Sequence, residues 1–236
     1  YACYYTYLAA ASVFSLPPTL FMTFREMYGV SFALLGTLVL VNFCTQLGVD
    51  LLLSFFGKYF NPHTTLRVTP LLTSLGLMVY AVVPMLMPQH AYGGLLVGTV
   101  IFSMAAGLNE VLVSPTVAAL PSEHPEKDMA TLHSLYGYGV VMVVTLSTVF
   151  LELFDNRNWM YLVMLWAILP ITASILLFTS PMPPMSLSQE PQEQGAAKGN
   201  TGILLFVLCI FFGSAAENAM TNWVSGYIEG ALQIPK

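Results

Sequence analysis

No lysine or arginine falls inside any of the long apolar stretches of this 236-residue chain. Charge of either sign is scarce: 8% of residues are Asp, Glu, Lys or Arg, against about a quarter in an ordinary soluble domain. That shortage excludes a solvated globular domain. With 56% hydrophobic residues and a mean hydropathy of +0.73, it leaves an all-α, polytopic membrane protein. Cysteine is scarce too. Cys3, Cys44 and Cys209 stand far apart in apolar runs, so no metal site is expected and each reads as a small hydrophobe. There is no basic stripe and no zinc spacing, which argues against nucleic acid as a partner. Nucleophile elbows, Walker glycines, HExxH pairs and CxxC are missing, and no nucleophile–base pair stands at useful spacing. Neither an enzyme nor a cofactor is expected.

What the chain has is length in apolar runs. A hydrocarbon layer about 30 Å thick needs about 20 apolar residues in a helix. Seven segments qualify: Tyr1–Phe24, Phe32–Phe56, Val68–Met87, Gly93–Leu120, Met129–Phe154, Trp159–Phe178 and Gly202–Tyr227. The connections are short except near 180–201, which is rich in Pro, Gln, Ser and Gly and lacks apolar periodicity, as a flexible linker does. The expected layout is a six-span bundle over 1–179, a linker over 180–201 and a further span within 202–236. Tyr1 opens directly on an apolar run with no basic segment before it. The expectation is therefore a chain without a signal peptide that starts inside a longer protein. A cytoplasmic start places Lys58, Arg67, Lys127 and Lys198 inside and Arg25, Arg157 and Lys236 outside, a thin positive-inside margin.

Against this background Glu110 and Glu217 stand out, each inside an apolar span with no intramembrane cation to pair with. Such a carboxyl group must be protonated, wet, bound to an outside cation or paired with another part of the protein, and each resolution points to a transport pathway. The seventh span reads GSAAENAMTNWVSGY. Ser214, Glu217, Thr221 and Val224/Ser225 follow one helical face, with Asn218 and Asn222 on the adjoining strip. Glu217 lies about 22 Å along this helix, just past the midplane. Asn218, Thr221, Asn222 and Trp223 are candidates for contacting a solute, Trp223 by stacking on a sugar ring; the alternative is a set of interhelical hydrogen bonds and an aromatic belt.

In the fourth span, GLNEVLVSPTVAALP, Asn109 and Glu110 are interior, and Glu110 is placed to take up and release a proton as its surroundings open and close. The alternative is a neutral glutamic acid bonded between helices. In the second span Asn42, Gln46 and Asp50 recur every four residues on one face. Asn42 and Gln46 are solute-contact candidates, whereas Asp50, about 27 Å from Phe32, belongs with a gate near the opposite interface. His133 opens the fifth span near the membrane surface, as a structural histidine or a proton relay, and is a gate candidate. The Tyr136-Gly137-Tyr138-Gly139 string after it suits close helix packing, not an ion filter, because it opens a full-length span. Prolines at 17, 18, 70, 84, 115 and 170 interrupt four spans, each freeing a backbone carbonyl.

Six spans, a polar linker and a seventh span with an acidic stripe resemble the opening of a major facilitator superfamily carrier. The strings LPPTLFMTFREMYGVS, NFCTQLGVD, GLNEVLVSPTVAALP, LHSLYGYG and GSAAENAMTNWVSGYIE look like bacterial sugar-porter-like members related to the fucose/glucose/galactose symporter group. The resemblance implies two six-helix bundles with solute bound between them, so that this chain would be the amino-terminal bundle plus the first helix of a second bundle whose remainder it lacks. It also implies a cytoplasmic amino terminus in the plasma membrane, and it matches Glu110 to the fourth-span acid implicated in proton coupling in fucose-type symporters. Two departures show. The loop at 57–67 keeps Lys58 and Arg67 of the superfamily's gating signature but has no aspartate. The first span has no acid to pair with Glu110 and offers Tyr4, Tyr5, Tyr7, Ser12 and Ser15 instead. The leading expectation is a secondary transporter of a small polar solute, a sugar among the candidates, coupled to a proton. Its alternatives are a proton-coupled exporter of drugs or cationic metabolites, and a seven-helix receptor or scaffold.

Overall fold

The computed structural model describes residues 1–184 and 200–232. Most of the linker expected at 180–201, with Lys198, lies outside the described residues, as does Lys236. Among those described there are eight α-helices: α1 (Ala2–Tyr28), α2 (Phe32–Phe56), α3 (Pro62–Leu86), α4 (Ala91–Ala118), α5 (Pro125–Phe154), α6 (Trp159–Trp166), α7 (Ile168–Thr179) and α8 (Asn200–Leu232). With α6 and α7 taken as one, they form seven helical stretches long and apolar enough to cross a membrane.

The boundaries follow local chemistry. Gly29, at φ +65°, ends α1 in the left-handed conformation that glycine adopts without penalty. Ser31 caps α2 by accepting from the Leu34 N–H. Asn61 accepts from the N–H groups of His63 and Thr64, and Pro62 opens α3 where a missing N–H costs nothing. The sixth span is expected as one helix but breaks at Ala167. Pro170 explains the break: its ring leaves the Trp166 carbonyl without a helical donor and crowds it. The Ser74 hydroxyl donates to the Ala167 carbonyl at 3.0 Å, so a neighbouring helix supports the irregular backbone.

Small residues set the closest packing. A β-carbon at Gly76 would come 2.5 Å from the Phe102 nitrogen, and one at Gly98 would come 2.7 Å from the Tyr80 backbone, so α3 and α4 touch backbone to backbone. At the Tyr-Gly-Tyr-Gly string it is Gly139 that makes a close contact, with Ala11 and the Leu8 carbonyl on α1, whereas nothing stands within 4 Å of Gly137.

The bundle core has two dry layers. The larger is aromatic: Phe24 meets Trp159 edge-on at 4.8 Å and Tyr80 at 5.7 Å, and Tyr80 meets Phe102 at 5.6 Å. The smaller joins Leu66, Leu112, Val113, Val117, Leu132 and Leu177. On α1, α4 and α5 alike, the residues between the two layers are those that line a cavity. Helix α8 packs mainly on α1 and leaves its apolar residues from Ile203 to Phe212 exposed.

Candidate functional site: a carboxylate cavity between two dry layers

A cavity of about 250 Å³ opens between α1, α2, α4, α5 and α8. From α1 come Tyr7, Ala10 and Phe14, from α2 Phe43 and Gln46, from α4 Ala106, Asn109 and Glu110, from α5 His133 and Tyr136, and from α8 Asn218. The register is helical throughout. Residues 7, 10 and 14 share one face, as do 106, 109 and 110, and 133 and 136.

Glu110 is exposed to this space, while Asn109 beside it is only 6% exposed. The Asn109 Oδ1 is buried and has no hydrogen-bond partner. A buried carbonyl left unpaired costs about 1–3 kcal/mol. Gln46, also 6% exposed, donates through Nε2 to the Asn42 Oδ1 at 2.9 Å, and the Ser103 hydroxyl donates to the same oxygen at 2.6 Å. Asn42 and Asn222 both line a smaller cleft of about 20 Å³ roofed by Phe14, Phe21, Tyr80 and Phe102. Phe14 borders both spaces, so a polar track runs from the cleft through Asn42 and Gln46 to the cavity.

His133 faces the cavity instead of standing apart from it. Its Nδ1 lies 3.4 Å from the Tyr7 hydroxyl, and the two rings meet edge-on at 5.5 Å. Tyr7 also packs against Tyr136 at 5.6 Å, and Phe14 against Tyr136 at 6.0 Å. Asp50 is half-buried with an unpartnered Oδ1 and lies within electrostatic reach of Glu110.

The seventh span divides. Asn218 and Asn222 turn toward the bundle, each donating back to its own helix, to the Ser214 and Asn218 carbonyls. Trp223 packs on Phe21 at 5.8 Å and lies over Gly36. Glu217 and Thr221 remain exposed, with the Thr221 hydroxyl donating to the Glu217 carbonyl, although Glu217 stays within electrostatic reach of Tyr136. The Ser225 side chain lies outside what is described.

Lys58 and Arg67 are away from the cavity. Lys58 sits over the Tyr59 ring at 5.0 Å. Arg67 donates from Nε to the Leu177 carbonyl at 3.1 Å and from Nη2 to the Ser180 carbonyl at 3.4 Å, capping the end of α7, while the Ser174 hydroxyl returns a bond to the Arg67 carbonyl at 2.7 Å. Tyr7, Phe14, Phe43 and Tyr136 were not among the candidate site residues. The i, i+3 spacing of His133 and Tyr136, and of Tyr7 and Ala10, was the available signal. Nothing in one sequence shows that those two faces meet.

No family model matches the sequence, and no curated protein matches it either. Solved structures do. One is the major facilitator superfamily proton:xylose symporter XylE bound to 6-bromo-6-deoxy-D-glucose, 15% identical, with a TM-score of 0.68 over 78% of this chain and 44% of that one. Another is the inward-open xylose transporter XylE from E. coli, 16% identical, with a TM-score of 0.67 over 98% of this chain and 55% of that one. The chain spans about half the length of the solved chains it matches. The likeness shows the fold: this is a multi-pass helical membrane protein built on the major facilitator architecture.

Proposed function

We propose that the chain forms one half-carrier and the start of the next in a secondary transporter that moves a small polar solute, a sugar by first choice, by alternating access with a coupling proton on Glu110. In this reading residues 1–179 are the amino-terminal bundle, 180–201 a cytoplasmic linker and 202–236 the first helix of a carboxy-terminal bundle that completes the cavity. The carrier sits in the plasma membrane with a cytoplasmic amino terminus, and the fucose/glucose/galactose symporters are its nearest functional model.

The observation that carries this is the cavity itself, which sets Glu110, Asn109, Gln46 and Asn218 among the rings of Tyr7, Phe14, Phe43 and Tyr136. A polyol meets such a wall on both counts. Its hydroxyls donate to amide and carboxylate oxygens, and its C–H faces lie on Tyr7, Tyr136 or Phe14. The same-fold structures named as xylose transporters support a sugar as the first solute to try.

The test is thermal shift of the full-length protein against a panel of monosaccharides, amino acids and organic cations at two pH values. A monosaccharide at about 100 times its Kd should add about 2.7 kcal/mol of stability. The Asn109→Leu variant should lose most of that gain while remaining folded. Stabilisation by organic cations alone would instead support the exporter of cationic metabolites.

A further inference from the structure

We propose that His133 is the counter-cation of Glu110, a positioning residue whose imidazolium balances the carboxylate through the Tyr7 hydroxyl while the coupling proton is absent. The inference rests on the proton-coupling reading and names the part of the cavity that answers the carboxylate's charge.

Charge balance singles out His133. Glu110 faces the cavity, Asp50 on α2 lies within electrostatic reach of it, and Glu217 on α8 is within reach of Tyr136, which lines the same cavity. Against these acids the apolar spans offer no lysine or arginine. Lys58 and Arg67 are engaged elsewhere, on Tyr59 and on the end of α7. Among the described residues that line the cavity, His133 is the one side chain able to become a cation. An uncompensated carboxylate in a membrane interior is expensive, and histidine can supply a positive charge within the physiological pH range.

The geometry provides the connection. Tyr7 is within electrostatic reach of Glu110 and its hydroxyl is 3.4 Å from the His133 Nδ1. A neutral imidazole protonated on Nε2 accepts a hydrogen bond from the Tyr7 hydroxyl at Nδ1. An imidazolium instead donates Nδ1–H to the Tyr7 oxygen, which frees the Tyr7 O–H to turn toward the acidic side of the cavity. One hydroxyl reversal thus transmits the charge on α5 through α1 toward α4. A proton on Glu110 removes the need for it and loosens three helices that meet at the cavity.

A double-mutant cycle in full-length protein tests this by thermal unfolding at about pH 6 and about pH 8.5, on either side of the ordinary imidazole value. Glu110→Gln and His133→Gln should each lower Tm by about 2–4 °C. The double variant should lose clearly less than their sum, and His133→Lys should retain most of the wild-type value. At about pH 8.5 the cost of His133→Gln should shrink. Tyr7→Phe, which keeps the ring packing, should weaken the coupling and serves if the double variant does not fold. Additive losses unchanged by pH would overturn the proposal. If the losses are additive while Glu110→Gln still abolishes gradient-driven accumulation, this inference alone fails. Clear coupling in a protein whose Glu110→Gln form accumulates solute normally would leave the pair standing and overturn the proton-coupling reading.

Discussion

Asn42 shows how much a single amide can organise in a membrane interior. Its Oδ1 accepts from both the Gln46 amide and the Ser103 hydroxyl, joining α2 to α4 beside the cavity. Asn42→Leu would orphan both donors, and it is expected to cost about 1–2 kcal/mol, read as a fall in the thermal unfolding midpoint. Ser103→Ala removes only one donor and should cost visibly less. The every-fourth-residue spacing of Asn42, Gln46 and Asp50 made the stripe legible in the sequence. That it ends near Glu110 was not legible, because the register between two helices depends on packing that a single span does not encode. His133 illustrates the same limit: its place near the start of its span was legible, whereas its meeting with Tyr7 of α1 was not, because that contact joins residues 126 apart.

At the scale of elements, hydrophobic length located every span, and for α2 the expected and observed limits coincide at Phe32 and Phe56. At α3 and α5 the helix starts ahead of the apolar run, because polar turns such as the one capped by Asn61 begin the helix before the hydrophobic signal. The break between α6 and α7 was foreshadowed by Pro170, but its location also depends on the Ser74 hydroxyl from α3. The glycines are separated by packing alone. Gly139→Leu should force α1 and α5 apart at the edge of the cavity, since a β-carbon there already meets Ala11 and the Leu8 carbonyl at 2.8 Å. Overpacking of this kind costs about 1–3 kcal/mol. Gly137→Leu, with open space around it, should leave the melting temperature close to wild type. Comparing the two variants by thermal unfolding checks the α1–α5 register directly.

For the whole molecule, the arrangement of wet and dry layers matters most. An aromatic layer closes one side of the cavity and an aliphatic layer the other, while α8 covers its flank with Asn218 and leaves Glu217 exposed beyond. In the proton-coupled reading such a chamber holds a group that changes charge, and Glu110 is the carboxyl group that lines this one. The direct test is solute accumulation by the full-length protein in liposomes under an imposed pH gradient, run beside solute exchange at equal pH. Glu110→Gln is expected to abolish gradient-driven accumulation and to retain exchange. Accumulation by Glu110→Gln at the wild-type level, with the gradient intact, would contradict the proton-coupled reading.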